Sequence, residues 1–441
     1  MIRLLSVCIV GWLLLSGCSD PVGEPDAALP SDSDLSAVMA SSDLRALGDI
    51  GATPTDAGET VDADGQPADL MSTGCFDLAC GPFAFVPGDR HLVPISAATS
   101  KSLAAADLDG DGRTDLLVDS ARATTQLSIL RNLGGGKFAA PEITSFKERF
   151  YGWAVADFDG DGWIDVALGR PQSVVMLRNQ GGKLQPPSEF PIGTPVPVSL
   201  GSAADLNEDG KPDLVGAGGN KGVFILPNLG AGKFGAPVWF DTQVQEELES
   251  LEVRDYDGDG HLDFGAVGGF FNSWKKEFRI VYLDGALRQI DGGGFDPGEP
   301  VQFTVLDMDG DGDLDLFFTM RNLHRAVIGR NLGGRNKYAY EELPVTKGFY
   351  GDEVAAGDLN RDGRTDLVIE GGLDDGGAGI YQLRLLRNEG GGMLPVRQVL
   401  PHPTLALLLH DFDGDGRLDI ATVQHHDKDW QAISFLFNRT P

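Results

Sequence analysis

Seven short acidic segments carry the chemistry legible in this chain. The first is Asp107-Leu108-Asp109-Gly110-Asp111-Gly112-Arg113-Thr114-Asp115, and the others begin at Asp157, Asp205, Asp255, Asp307, Asp358 and Asp411. Successive starts lie 50, 48, 50, 52, 51 and 53 residues apart. Carboxylates at positions 1, 3, 5 and 9 of one tight loop repel each other unless a cation sits among them. Calcium suits such a loop because it takes six to eight oxygens at about 2.3–2.6 Å in a flexible arrangement. Magnesium demands a tight octahedron and keeps its waters.

The candidate ligands follow from position. The first loop offers Asp107, Asp109, Asp111, the carbonyl of Arg113, and Asp115. The second offers Asp157, Asp159, Asp161, Trp163 and Asp165; the third Asp205, Asn207, Asp209, Lys211 and Asp213. The fourth offers Asp255, Asp257, Asp259, His261 and Asp263; the fifth Asp307, Asp309, Asp311, Asp313 and Asp315. The sixth offers Asp358, Asn360, Asp362, Arg364 and Asp366, and the seventh Asp411, Asp413, Asp415, Arg417 and Asp419. Position 9 is expected to close each site as a bidentate ligand. Asn207 and Asn360 still present an amide oxygen, with less charge. The glycine at position 6, Gly112 in the first loop, fits a turn that needs positive φ. An EF-hand would require Glu at position 12, where the first loop has Val118, and flanking helices.

Loops so spaced need a repeating scaffold. Each is preceded by a short run such as Trp153-Ala154-Val155-Ala156 and followed by an apolar run such as Asp165-Val166-Ala167-Leu168. A third run, a Gly-rich turn such as Asn132-Leu133-Gly134-Gly135-Gly136, and a segment such as Lys137-Phe138-Ala139-Ala140-Pro141 complete the unit. Runs of four to six branched or aromatic residues bounded by Gly, Asn or Asp read as strands. Four strands per unit in seven units predict an all-β fold, a seven-bladed β-propeller with a calcium loop in each blade, preceded by a disordered tether. An open β-solenoid is the competing architecture, but this period is long for one rung. The small residues of each first strand are expected to line a crowded central channel. The last unit ends after three strands, so the segment Phe83-Ala84-Phe85-Val86-Pro87 is expected to complete it and close the ring.

The units resemble the FG-GAP, or VCBS-type, repeat, the calcium-loop propeller repeat also found in integrin α-subunit heads. The naming motif stands as Phe234-Gly235-Ala236-Pro237, with a variant at Phe138 to Pro141. The resemblance covers about residues 81 to 441. It implies the propeller and the Ca²⁺, about seven ions, while the roles of family members vary.

The N-terminus reads as a targeting segment. Arg3 precedes the apolar run Leu4 to Leu15, which is too short to span a bilayer as a mature helix. Leu15-Ser16-Gly17-Cys18 resembles the lipobox of bacterial lipoproteins, in which the cysteine is acylated. The expected organisation is a signal peptide over 1–17, the lipid-bearing Cys18 and a disordered linker over 18–72, a Cys-pair segment over 73–82, and the propeller over 83–441. Ser19 in place of Asp implies export to the outer membrane of a Gram-negative envelope. The linker has no aromatic residue and little to bury. As a flexible coil it would reach about 40 Å. Cys75 and Cys80 are expected to form a local disulfide; a metal pair is the other reading, with no third ligand nearby.

The chain has 441 residues and a formal net charge of −31. Twenty-six aspartates fall at loop positions 1, 3, 5 and 9, so the acidity has a local use. Nucleic acid is excluded as a partner, because binding it needs a basic face. Partner binding is expected on the rim opposite the acidic loops, where the repeats diverge. Phe270, Phe271 and Trp274 enlarge one connection there, and His425, His426 and Trp430 belong to the equivalent one in the last unit. The Phe270 to Trp274 stretch also reads as cover for a hydrophobic gap, and His425, His426 and Asp427 read as a solvated loop rather than transition-metal ligands, since adjacent residues rarely converge. Phe150-Tyr151-Gly152 and Phe349-Tyr350-Gly351 read as inter-blade packing, and Trp163 as either exposed or resting on a neighbour. Asn438-Arg439-Thr440 has the form of a glycosylation sequon only. The expected function is a lipid-anchored, calcium-stabilised surface propeller that binds a protein or glycan partner. The alternative is a lyase or hydrolase acting on polysaccharide, although no nucleophile elbow or zinc motif is present.

Overall fold

The structure is a computed structural model. It describes residues 7–8, 83–94, 103–120, 125–193, 198–218, 221–242, 248–269, 276–295, 300, 302–320, 325–343, 349–373, 381–392, 396–400, 404, 406–425 and 430–440. Among them there is no α-helix.

The first sheet sets the pattern. Leu103–Ala106, Asp115–Ser120, Thr125–Leu130 and Glu142–Phe146 form a four-stranded antiparallel meander in sequence order. The next two meanders begin at Tyr151–Ala156 and Val198–Ala204. A short parallel pairing of Tyr151 and Gly152 with Ser199 and Leu200 joins them into one eight-stranded sheet. Further meanders begin at Leu248–Arg254, Gln302–Leu306 and Phe349–Gly357. Val7–Cys8 adds two residues against Ser250 and Leu251 of the fourth. The last sheet takes Ala406–His410, Asp419–His425 and Trp430–Asn438 from the end of the chain. Its outer strand pairs with Phe85–Pro87 and with His91–Pro94 from the start of the propeller region. The arrangement is an all-β propeller.

The core is divided accordingly. Leu117 and Ile129 of the first sheet pack with Trp153 and Val166 of the second. Ala167 and Met176 of the second pack with Leu200 and Phe224 of the third. The pattern repeats between each sheet and the next in sequence. One cluster joins the two ends of this series: Leu103, Leu116 and Val118 of the first sheet pack with Ala406, Ala421 and Phe435 of the last. Burial of apolar area between neighbouring sheets, at about 25 cal/mol per Å², is therefore the main force holding one sheet to the next.

The expectation of small residues on every inner strand holds only in part. Ala104 and Ala105 fit it, whereas Trp153 and Phe303 are buried on inner strands. Gly169, on a second strand, has a clear steric reason: a Cβ there would collide with the carbonyls of Val198 and Tyr151.

Candidate metal centres

Each acidic loop joins the first and second strands of its sheet, so its ends are fixed by strand pairing. Within the loop the carboxylates organise the backbone. Asp107 Oδ1 accepts the amides of Gly110 at 2.8 Å and Asp111 at 3.2 Å, and its Oδ2 accepts that of Gly112 at 2.8 Å. The bond from position 6 to position 1 recurs in all seven loops. So does the bond from the position-7 amide to the position-5 carboxylate. Gly110 and Gly112 sit at φ +72° and +82°, a region L-residues avoid.

The third and sixth loops depart together from this form. At position 4 they place Glu208 and Arg361 at φ 59° and 61° instead of glycine. They also have Asn207 and Asn360 at position 3. The amide Nδ2 of Asn360 turns toward Asp362 at 3.1 Å, and Lys211 Nζ caps Asp209 at 2.8 Å.

Ligand atoms converge in the other five loops. Oxygens of Asp107, Asp109 and Asp115 lie within 4.8 Å of one another. The same holds for Asp157, Asp159 and Asp165, and for Asp411, Asp413 and Asp419. In the fourth and fifth loops the converging groups are Asp255, Asp257 and Asp259, and Asp307, Asp309 and Asp311. These all-oxygen, all-anionic sets fit a hard cation. Asp109 Oδ1 is buried without a hydrogen-bond partner, an acceptor that a cation would satisfy. Burial, then the nearby charges of Asp115 and Asp111, raises the Asp109 pKa. Asp159 is raised by burial and by Asp161. The chemistry available is charge neutralisation: an ion would cancel the repulsion among these groups.

Position 9 has a second task that sequence reasoning missed. Asp115 is buried, and its Oδ2 accepts the Leu108 amide at 3.2 Å. Its Oδ1 accepts the Asn132 amide at 2.8 Å, after the third strand. Equivalent pairs form at Asp165, Asp213, Asp263, Asp315, Asp366 and Asp419. Each carboxylate thus ties its loop to the following turn and keeps further lone pairs for an ion. Burial pushes Asp165, Asp213, Asp315 and Asp366 up to about 6, and Asp263 and Asp419 up to about 7.

The asparagine at the end of this bond is a staple between sheets. Asn179 Nδ2 donates to the Leu108 carbonyl of the preceding sheet at 2.7 Å and to Ile164 of its own loop at 3.0 Å. Asn228 reaches Phe158, Asn388 reaches Met308, and Asn438 reaches Leu359. Asn132 reaches Phe412, from the first sheet to the last, at 2.8 Å. Asn438 is buried in this role, so its sequon form is incidental. In the fourth sheet Leu283 stands at this place and offers only its backbone amide. The available signal was an asparagine recurring two residues before a glycine after the third strands of the first, second, third, fifth and sixth sheets.

Other readings resolve as follows. The Trp163 indole rests on the neighbouring loop, where a Cβ on Gly110 would lie 2.9 Å from the ring. Phe150 is buried edge-on against Phe146, with ring centroids 5.9 Å apart. His425 ends the second strand of the last sheet and Trp430 begins the third. Phe270, Phe271, Trp274, His426, Cys18, Cys75 and Cys80 lie outside the described residues.

The phenylalanine of the Phe-Gly-Ala-Pro motif also has a place. Phe234 packs edge-on against Phe158, position 2 of the preceding sheet's loop, at 5.8 Å. Phe138 meets Phe412 in the same way at 6.0 Å. Residues 157–215, 205–266 and 287–369 match the model of the FG-GAP-like repeat. The chain carries FG-GAP-like repeats. The first two matched stretches run from one acidic loop through the next, so the FG-GAP-like unit and the stapled sheet coincide in phase. Human integrin alpha-IIb is 33% identical over 156 residues, which is 28% of this chain and 15% of that protein. Human integrin alpha-7 is 34% identical over 146 residues, 28% of this chain and 12% of that protein. The chain thus spans a small part of the length of the curated relatives it matches. Among solved structures, a chain from the crystal structure of BBS1N in complex with ARL6DN superposes with a TM-score of 0.53 at 12% identity. That match covers 81% of this chain and 98% of the other, and shows the fold alone.

Proposed function

We propose that this protein is an exported, lipid-anchored propeller of seven blades, closed by its N-terminal strand and stabilised by Ca²⁺, that binds a protein or glycan partner at the cell envelope. The observation that carries the reading is the coupling of acidic loops to the joints between sheets, made at five joints by Asn132, Asn179, Asn228, Asn388 and Asn438. The position-9 aspartate faces the candidate ion on one side and organises the asparagine turn on the other. An ion in the loop therefore stiffens the joint, and a stiff ring can present variable loops without deforming. Similarity to integrin alpha chains over part of the length supports a binding role. The lipobox-like segment before Cys18 and the polar linker support a tethered position outside the inner membrane.

The ligands would be the side chains at positions 1, 3, 5 and 9 and the carbonyl at position 7. The third and sixth loops, with an amide at position 3 and strain at position 4, would bind most weakly. Pull-down from envelope extracts and glycan-array binding, each with calcium and with chelator, tests the proposal. Calcium-dependent capture of one protein or glycan class supports it. No capture in either assay, from a chain that binds calcium, would contradict the binding role.

A further inference from the structure

In two of the acidic loops a single guanidinium of the chain bridges the ligand carboxylates at positions 3 and 5. Arg335 lies in the turn after the third strand of the fifth sheet, Arg325–Asn331. It reaches across to the fourth sheet, where its Nε pairs with Asp257 Oδ2 and its Nη2 lies 3.0 Å from Asp259 Oδ2. One guanidinium thus bridges ligand positions 3 and 5. Beneath it the Asp257 side chain is only 4% exposed. The last loop repeats the arrangement. Arg439 Nη2 is 2.5 Å from Asp413 Oδ2, its Nη1 is 2.9 Å from Asp415 Oδ2, and Asp413 is 6% exposed. In the second and fifth loops the arginines near position 3 stand back, with Arg178 at 3.9 Å from Asp159 and Arg330 at 3.7 Å from Asp309.

We propose that Arg335 and Arg439 are affinity-setting residues that compete with the divalent cation for the fourth and seventh loops. The inference rests on the reading of the loops as cation sites. An ion entering the fourth loop needs the oxygens of Asp257 and Asp259 that Arg335 covers. Guanidinium and ion cannot sit a few ångströms apart on shared carboxylates without strong repulsion. Binding must therefore move Arg335 away.

That move has a structural consequence at this joint. The Arg335 guanidinium also lies over the Tyr282 ring, 5.7 Å from its centroid, and the next residue, Asn336, donates its amide to the Tyr282 hydroxyl at 3.1 Å. At the stapling place of the fifth sheet, Asn331 Nδ2 donates to Leu314 of its own loop at 3.4 Å rather than across to the fourth sheet. Arg335 therefore holds the fourth and fifth sheets together when calcium is scarce, and the ion replaces it when calcium is abundant. The fourth and seventh loops fill after the second and fifth, whose arginines stand back.

Calcium titration of the metal-stripped full chain by calorimetry tests this, with Arg335→Gln, Arg335→Lys and Arg439→Gln beside the natural sequence. Arg335→Gln should tighten one site by roughly tenfold, the scale of removing one unit charge a few ångströms from a divalent ion, and leave the others unchanged. Arg439→Gln should do the same at a different site, and Arg335→Lys should stay near the parent. In excess chelator Arg335→Gln should melt below the parent. Isotherms of both glutamine variants superimposable on that of a calcium-binding parent would overturn the proposal alone. A parent that binds no calcium would overturn both the proposal and the reading beneath it.

Discussion

Replacing Asn132 by alanine tests the stapling geometry where it matters most. Its Nδ2 donates to Thr114 O at 2.9 Å and to Phe412 O at 2.8 Å, and its Oδ1 accepts the Gly134 amide at 2.9 Å. Alanine removes all three bonds and strands two carbonyls and an amide around a residue that is 3% exposed. A buried hydrogen bond contributes about 0.5–1.5 kcal/mol net, and an orphaned partner costs about 1–3 kcal/mol. Three bonds at the net value give about 1.5–4.5 kcal/mol, and the orphaned partners raise the cost further, a large share of the roughly 5–15 kcal/mol that a folded domain has in total. Urea denaturation followed by circular dichroism, in constant calcium, measures it. Asn228→Ala is the matched control, because it breaks the equivalent bonds to Phe158, Pro212 and Gly230 between two sequence-adjacent sheets. The two variants should lose similar stability. An Asn132→Ala loss under about 1 kcal/mol beside a full loss for Asn228→Ala would refute closure through this joint.

Three further outcomes follow from the same geometry. Gly112→Ala, at φ +82° with open space around its Cβ position, should cost about 1–2 kcal/mol from backbone strain alone, read from urea midpoints. In the metal-free protein burial raises Asp165, Asp213, Asp263, Asp315, Asp366 and Asp419 to folded pKa values of about 6 to 7, above their ordinary 3.8. Proton binding then favours the folded state: the contribution is complete below about pH 4 and lost as pH rises through 6 to 7. The urea midpoint in chelator should therefore rise from pH 7.5 to 5.5, while that of the calcium-loaded protein should fall as protons compete with the ion. Terbium bound in the first two loops should luminesce on excitation of Trp163, and Trp163→Phe should remove most of that emission while calorimetry shows the same number of bound ions.

The legible part of this protein is local. Asp107, Gly112 and Asp115 interact within one loop, so their spacing alone reveals the site. The strands were legible because short branched or aromatic runs lie between turns rich in Gly, Asn and Asp. The staples were not, because Asn132 acts on Phe412, 280 residues away, and alone reads as an ordinary turn residue. Trp163 was equally open in sequence, since its rest on Gly110 depends on how neighbouring sheets pack. The pairing of Arg335 with Asp257 and Asp259 links residues more than seventy positions apart and has no local signature. Phe303 and Trp153 show the limit of composition, since large side chains occupy inner strands where small ones were expected.

The central claim is that divalent ions in the acidic loops hold the sheets in their ring. A site with Kd near 10⁻⁴ M in millimolar calcium contributes about 1.5 kcal/mol, so several sites together approach roughly 10 kcal/mol. Thermal unfolding of the same preparation, metal-stripped and then reloaded with calcium, measures this directly. The account predicts a rise in Tm of at least about 10 °C on reloading. An unchanged Tm, with loss and return of the metal verified by elemental analysis, would contradict it.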